Sequence, residues 1–222
     1  MAYYPIFLEM KGRPVIVIGG GEVGLEKVRG LLAAEADVTV VSPGLHPELE
    51  ALKAAGAIKH IAREWREGDI DGFELVMIAT DDRSANAAIA AEAKRKRIWV
   101  NAADDPPNCD FILPSVVRKG SVTLAASTGG SSPAMARRLR EELEVYLDQE
   151  IPELNDLLGE VRALLRERGI RPERETWQRA IDARLRALLA QRRFDEARAY
   201  LLRSLGVDGV GEPEPVSAEE PR

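Results

Sequence analysis

Pro14-Val15-Ile16-Val17-Ile18-Gly19-Gly20-Gly21-Glu22-Val23-Gly24-Leu25-Glu26-Lys27 decides the fold. Residues 14–18 are a short apolar run rich in β-branched side chains, and such a run reads as a buried strand. It ends in three glycines. Residues 22–35 then place Val23, Val28, Leu31 and Leu32 at the spacing of a helix packed on a sheet. A G-x-G-x-x-G match between a strand and a helix has a mechanism. Gly19 permits the tight turn, Gly21 lets the backbone approach a pyrophosphate, and Gly24 lets the helix pack closely on the strand. Glu22 and Val23 lie between them at the helix N-terminus, where the pyrophosphate would sit. The competing reading is a glycine-rich turn with no ligand.

The same alternation continues outward. Val38–Val41 is a second strand closed by Ser42-Pro43-Gly44; 47–56 is helical and 57–61 a weak strand. Leu75–Ala79 is a further buried run, 83–96 an Ala-rich helix, and Ile98-Trp99-Val100 starts another strand. Strands separated by helices of this length require crossovers, hence a mainly parallel sheet with helices on both faces, a Rossmann-type α/β domain over 1–112. One part of the dinucleotide fingerprint is missing, because the second strand ends at Ser42 rather than at a carboxylate for the adenosine ribose. Ser42 offers a hydroxyl instead, Pro43 and Gly44 form the expected adenosine wall, and no Lys or Arg follows for a 2′-phosphate. NAD is favoured over NADP.

Near Phe111 the pattern changes. Val116-Val117 and Val122-Thr123-Leu124 flank Arg118-Lys119-Gly120-Ser121, a hairpin with a glycine turn, and Ser132-Pro133 is good starting chemistry for a helix over 133–146. These form a segment over 113–149. Residues 153–168, 173–190 and 194–205 read as three amphipathic helices of a helical domain over 150–206. Their arginines are interspersed with acids, as on a solvated, salt-bridged face. The stretch 207–222 is Pro-, Gly- and Glu-rich and is expected to be a disordered acidic tail.

Composition narrows the function classes. The 222 residues are 45% hydrophobic and only 5% aromatic, so the core must be aliphatic. From Gly206 onward five acids oppose Arg222, a net −4 out of the total −6, which leaves a nearly neutral body with no basic block for nucleic acid. One cysteine, Cys109, excludes a disulfide framework, and with only His46 and His60 no fixed metal site is expected. Cys109 reads as a passive loop residue. No signal peptide or membrane-length apolar run is visible, so the expected location is cytoplasmic.

Six segments stand out: Pro5-Ile6-Phe7, the GGGEVGLEK loop at 19–27, Ala79-Thr80-Asp81-Asp82, Val100-Asn101-Ala102-Ala103-Asp104, Phe111–Ser115, and Ser127-Thr128-Gly129-Gly130-Ser131-Ser132-Pro133 through Arg137. Together they resemble the NAD-dependent precorrin-2 dehydrogenases, including the N-terminal module of siroheme synthase. They span roughly residues 3–145 in one collinear order. The fused methyltransferase module of siroheme synthase is expected to be absent, because the chain ends too soon.

The resemblance implies oxidation of precorrin-2 to sirohydrochlorin by NAD, with Thr80 near the cofactor. In some members it also implies insertion of ferrous iron, and iron insertion stays open. It also implies a homodimer assembled through the middle segment. Asp104, after the strand at 98–102, would sit at the carboxyl edge of the sheet, where a carboxylate can take a proton as general base. Asp105 is its rival. A polycarboxylate macrocycle needs donors, and Ser127, Thr128, Gly129, Gly130, Ser131 and Ser132 can supply them, joined by Asn101 and by Arg137 or Arg138. The family often carries Ser where Thr128 stands.

Three other classes compete, of which a bare oligomeric scaffold would leave the glycine loop unexplained. A non-catalytic NAD-sensing module would have no use for Asp104, Asn101 or the Thr128 loop. A small hydroxy-acid dehydrogenase should show a histidine after the nucleotide domain, and none occurs beyond His60.

Overall fold

In a computed structural model of the chain, which describes residues 3–147 and 150–207, the apolar run of residues 14–18 is the central strand of a parallel sheet. The elements of the first half are β1 (Pro14–Ile18), α1 (Glu22–Leu32), β2 (Asp37–Val41), α2 (Pro47–Ala54), β3 (Lys59–Ile61), β4 (Leu75–Ile78), α3 (Arg83–Lys96) and β5 (Trp99–Ala102). All four pairings are parallel and the order is β3-β2-β1-β4-β5, the Rossmann arrangement. The chain reverses direction across the sheet between β1 and β4, and that switch point is where such sheets bind ligands.

Side-chain alternation on β1 explains its unbroken hydrophobicity. Val15 and Val17 pack with Leu25, Val28 and Leu31 of α1 and Leu49 of α2, while Ile16 and Ile18 pack with Ile89, Ala90 and Ala93 of α3. A strand covered on both faces has no polar side to show. The edge strand β5 is closed by the returning chain. Asp110 N–H donates to Val100 O, and the Val100 amide donates to the Asp110 carboxylate. An exposed ladder edge is thereby blunted.

The chain divides into two units, Met1–Leu113 and Pro114–Arg222. The second contains the antiparallel hairpin β6 (Ser115–Lys119) and β7 (Val122–Ala126), then α4 (Pro133–Tyr146), α5 (Glu150–Glu167), α6 (Arg174–Ala180), α7 (Ala183–Ala190) and α8 (Phe194–Ser204). The hairpin turn rests on α5: Ser121 Oγ donates to Asp156 and accepts from Asn155 Nδ2. Helices α5–α8 close around Leu154, Val161, Leu165, Leu185, Leu189 and Leu201.

The helix expected over 173–190 is two helices. Asp182 interrupts it by accepting the Leu185 amide in N-cap geometry, so the chain turns at Ile181 and restarts as α7. Val207 packs against the same cluster; the rest of the expected tail, 208–222, lies outside the described residues. No helix among the described residues is long and apolar enough to cross a membrane.

Candidate functional site

Each of the three fingerprint glycines meets its requirement differently. Gly19 has φ 120°, and a Cβ there would lie 2.1 Å from Ala79 O at the end of β4. On Gly24 a Cβ would lie 2.2 Å from Gly19 O, so the first turn of α1 can lie against the loop only as glycine. A Cβ on Gly21 would meet no atom within 4 Å. Gly21 is therefore dispensable to the packing and leaves open the approach to the amides of α1, where Glu22 and Val23 are exposed. A dinucleotide's pyrophosphate fits that opening.

The wall beside it is held by a histidine pair. Ser42 is 4% exposed, and its hydroxyl donates to Gly44 O (2.7 Å) rather than facing outward. His60 Nε2 lies 3.0 Å from Ser42 O and 3.3 Å from Ser42 Oγ. Pro43 and Gly44 are exposed, so backbone and not the Ser42 hydroxyl forms the accessible surface. His46 ties this wall to the glycine loop. Its amide donates to Gly20 O (2.7 Å), its Nδ1 accepts the Glu48 amide to cap α2, and its Nε2 lies 3.2 Å from the Glu22 carboxylate.

Thr80 follows β4 at the switch point. Its hydroxyl donates to Asn86 Oδ1 (2.6 Å), and Asn86 Nδ2 donates back to Thr80 O (3.0 Å), a closed ring around a buried asparagine. Asp82 caps α3, and the Ser84 hydroxyl, with the Ala85 and Ser84 amides, holds its carboxyl below the usual range.

After β5 the two rival carboxylates are placed differently. Asp105 accepts a bond from Asn108 Nδ2 (2.8 Å) at the start of a short 3₁₀ turn, Pro106–Asn108. Asp104 has φ 55° and makes no side-chain hydrogen bond among the described residues. The loop carrying it is pinned from behind. Asn101 is buried and donates to Phe111 O (2.9 Å), while Cys109 Sγ donates to Ala102 O (3.1 Å) and receives the Ala102 amide (3.2 Å). Burial pushes the Cys109 thiol pKa up, which leaves the thiol protonated at neutral pH.

In the second unit, Ser127–Pro133 is a tight loop with Gly129 and Gly130 at φ 63° and 85°. Thr128 Oγ1 donates to Ser132 O and accepts the Ser132 amide; Ser131 Oγ donates to Thr128 O; Ser127 Oγ accepts the Gly129 amide. Ser132 Oγ accepts the Met135 amide and caps α4. Arg138 pairs with Glu142, whereas Arg137 has no carboxylate partner among the described residues. The candidate residues thus fall into two sets, one on each unit. No cluster of three or more metal-ligating side chains occurs among the described residues.

Comparison with known proteins gives this geometry its context. The family described as "Putative NAD(P)-binding" matches residues 6–115, and the family "Sirohaem biosynthesis protein central" matches 119–146. A siroheme synthase of Aeromonas salmonicida is 41% identical over 205 residues, covering 91% of this chain and 43% of that protein. One of Serratia proteamaculans is 36% identical over 207 residues, with 92% and 44% covered. The solved structure of SirC, precorrin-2 dehydrogenase, superposes with a TM-score of 0.72 at 28% identity, covering 87% of this chain and 98% of that one. The chain is a homologue of the siroheme synthases and of SirC.

It spans less than half the length of the siroheme synthases it matches. The NAD-binding family covers the whole Rossmann sheet described above, and NAD is the cofactor that the loop and the switch point fit. Relative to that fold, the residues alone gave no role to Gly20, whose Cβ would meet Gly44 O at 2.3 Å, or to Asn86, and read His46 beside the cofactor wall and His60 in the edge strand only as structural or solvated. Of these only His46 had a local signal, since His-Pro followed by Glu is an N-cap pattern.

Proposed function

We propose that this chain oxidises precorrin-2 to sirohydrochlorin with NAD, with Asp104 as the general base. Bound NAD supplies the hydride acceptor. The macrocycle loses a hydride and a proton, and the chain must take the proton. Asp104 suits that role, because its carboxylate is unpaired among the described residues and held at the carboxyl end of β5 by the Asn101 and Cys109 bonds behind it. Asp105 suits it less, because Asn108 already occupies its carboxylate. The observation that carries the reading is this free carboxylate beside a Rossmann switch point in a chain homologous to SirC across nearly all of that protein.

The substrate's acetate and propionate groups meet the Gly130 amide, the Ser127 hydroxyl and Arg137, none of which has its donor engaged by another side chain. Thr128 and Ser131 shape that loop by donating within it, whereas the Ser132 hydroxyl, which only accepts the Met135 amide, keeps its donor for the substrate as Ser127 does. Asn101 likewise positions, since its amide is committed to Phe111 O. The protein acts as a cytoplasmic homodimer joined through the hairpin and α4. Ferrous iron is a second substrate, inserted into sirohydrochlorin as two pyrrolic N–H protons leave, one to Asp104 and the other to solvent; the macrocycle nitrogens hold the metal.

Asp104→Asn tests the assignment. The variant should bind NAD and tetrapyrrole normally while turnover falls by about 10²–10⁴, the scale of a lost general base. Unimpaired dehydrogenation would remove Asp104 from the mechanism, and unimpaired iron insertion would confine its role to the redox step.

A further inference from the structure

Several arginines of the helical bundle pair with acids: Arg186 with Glu150, Arg193 with Glu196 and Arg198 with Glu160. Arg162, Arg166, Arg171 and Arg174 have no carboxylate within 4.0 Å among the described residues, and all four line one groove between α5 and α6. The cavity measures about 760 Å³. No acidic side chain lines it. Its floor is apolar, made by Leu158, Leu165, Ile170 and Ile181, with the Trp177 ring packed half-buried against the bundle core.

The two sides of the groove present charge in a fixed pattern. Asn155, Gly159, Arg162 and Arg166 form one stripe along α5, at the four- and three-residue spacing of a single helix face. Arg171, from the segment before α6, and Arg174, the first residue of α6, line the groove with them. In the middle of the α5 stripe stands Gly159, and a Cβ there would meet no atom within 4 Å. A glycine inside a helix lowers its stability, and no neighbour here requires it. Its effect is to keep the groove wide between Asn155 and Arg162.

Four guanidinium groups around an apolar floor with an indole suit a ligand that is flat, hydrophobic on its faces and anionic at its rim. Guanidinium groups bind carboxylates bidentately, and an aromatic ring stacks on a planar π-system. A small hydrophilic anion would leave the floor unused. We infer that the α5–α6 groove is a binding site for a planar polycarboxylate, the chemical class of the proposed tetrapyrrole substrate and product, formed by the helical bundle alone. The choice of tetrapyrrole within that class rests on the proposed function; the groove's chemistry stands without it.

The test uses the full chain and uroporphyrin, a stable fluorescent macrocycle with carboxylates around its rim, titrated to saturation by porphyrin emission polarisation and tryptophan quenching. Two variants are compared with wild type: Arg162→Glu combined with Arg171→Glu, and Gly159→Leu, which fills the groove without changing charge. Each should bind one porphyrin fewer per chain, or bind it about tenfold or more weakly, as expected when charge complementarity or access is lost. Precorrin-2 turnover at saturating substrate should be unchanged. Inorganic phosphate at matched ionic strength should not displace the porphyrin. Wild-type stoichiometry and affinity in both variants would overturn the inference, and displacement by phosphate would reduce the groove to a plain anion patch and overturn it too. If the charge-reversed variant does not fold, Gly159→Leu carries the test. Groove-dependent binding in a protein that fails to oxidise precorrin-2 would sink the proposed function alone; normal oxidation with groove-independent binding would sink this inference alone.

Discussion

A Cβ at Gly21 would meet no protein atom within 4 Å, so the penalty for a short side chain there should come chiefly from a ligand. Gly21→Asp should therefore leave folding nearly intact and abolish NAD binding, because a carboxylate would stand in the pyrophosphate's path and repel it. Calorimetric titration with NAD checks this, and wild-type affinity would remove the loop from the cofactor site. Cys109 makes the opposite kind of prediction. Its thiol bridges the Ala102 N–H and C=O and is held protonated by burial, so Cys109→Ala should cost about 1–2 kcal/mol, the scale of buried hydrogen bonds left unmade. Urea unfolding measures that loss, and NAD affinity should not change. At this scale the glycine turn after β1 and the position of Asp104 after β5 were legible, because spacing after a strand is a local fact. Ser42 was not, since nothing in Val41-Ser42-Pro43 says that the hydroxyl turns inward to Gly44 O, with His60 from β3 beside it.

Strands β1–β5 and helices α1–α3 were readable from hydrophobic period alone, because both faces of β1 are covered and each helix buries one stripe. The break between α6 and α7 was not read, although Asp182 carried the signal. An aspartate in an amphipathic run reads equally as a solvated position or as a cap, and its bond to Leu185 N decides it. The Tyr200 hydroxyl and that amide hold the Asp182 carboxyl below the usual range. Asp182→Ala should cost about 1–2 kcal/mol, as loss of an N-cap does, and a lower urea midpoint would register it. The segment between β3 and β4 supplies a pH test. Arg63, through its side-chain bonds, and the Arg66 amide lower the Asp69 pKa against the opposing effect of partial burial. Its stabilisation is thus complete above the unfolded carboxyl value of about 3.9 and disappears as pH falls through the lower folded value. Asp69→Asn should be less stable at neutral pH and lose less on acidification below about pH 4; parallel acid limbs in wild type and variant would contradict this.

The whole molecule consists of two units, and the sheet, the glycine loop and Asp104 all lie in Met1–Leu113. Its two core clusters are drawn entirely from its own residues, so a fragment of residues 1–113 should bind NAD yet fail to oxidise tetrapyrrole, since the Ser127–Pro133 loop belongs to the other unit. The dimer proposal is checked by sedimentation: a species of twice 24.4 kDa supports it, and a monomer at assay concentration removes it. The end of the first unit at Leu113 was visible in sequence as a change from βα alternation to hairpin and helices near Phe111. The unpaired arginines of the bundle were not visible, because interspersed charge does not reveal which partners meet. The oxidation itself can be followed in solution. Anaerobic incubation of the purified chain with precorrin-2 and NAD should produce sirohydrochlorin absorbance and NADH in equal amounts, with neither formed when NAD is omitted; NAD binding without any sirohydrochlorin would contradict the proposed reaction and leave a nucleotide-sensing module in its place.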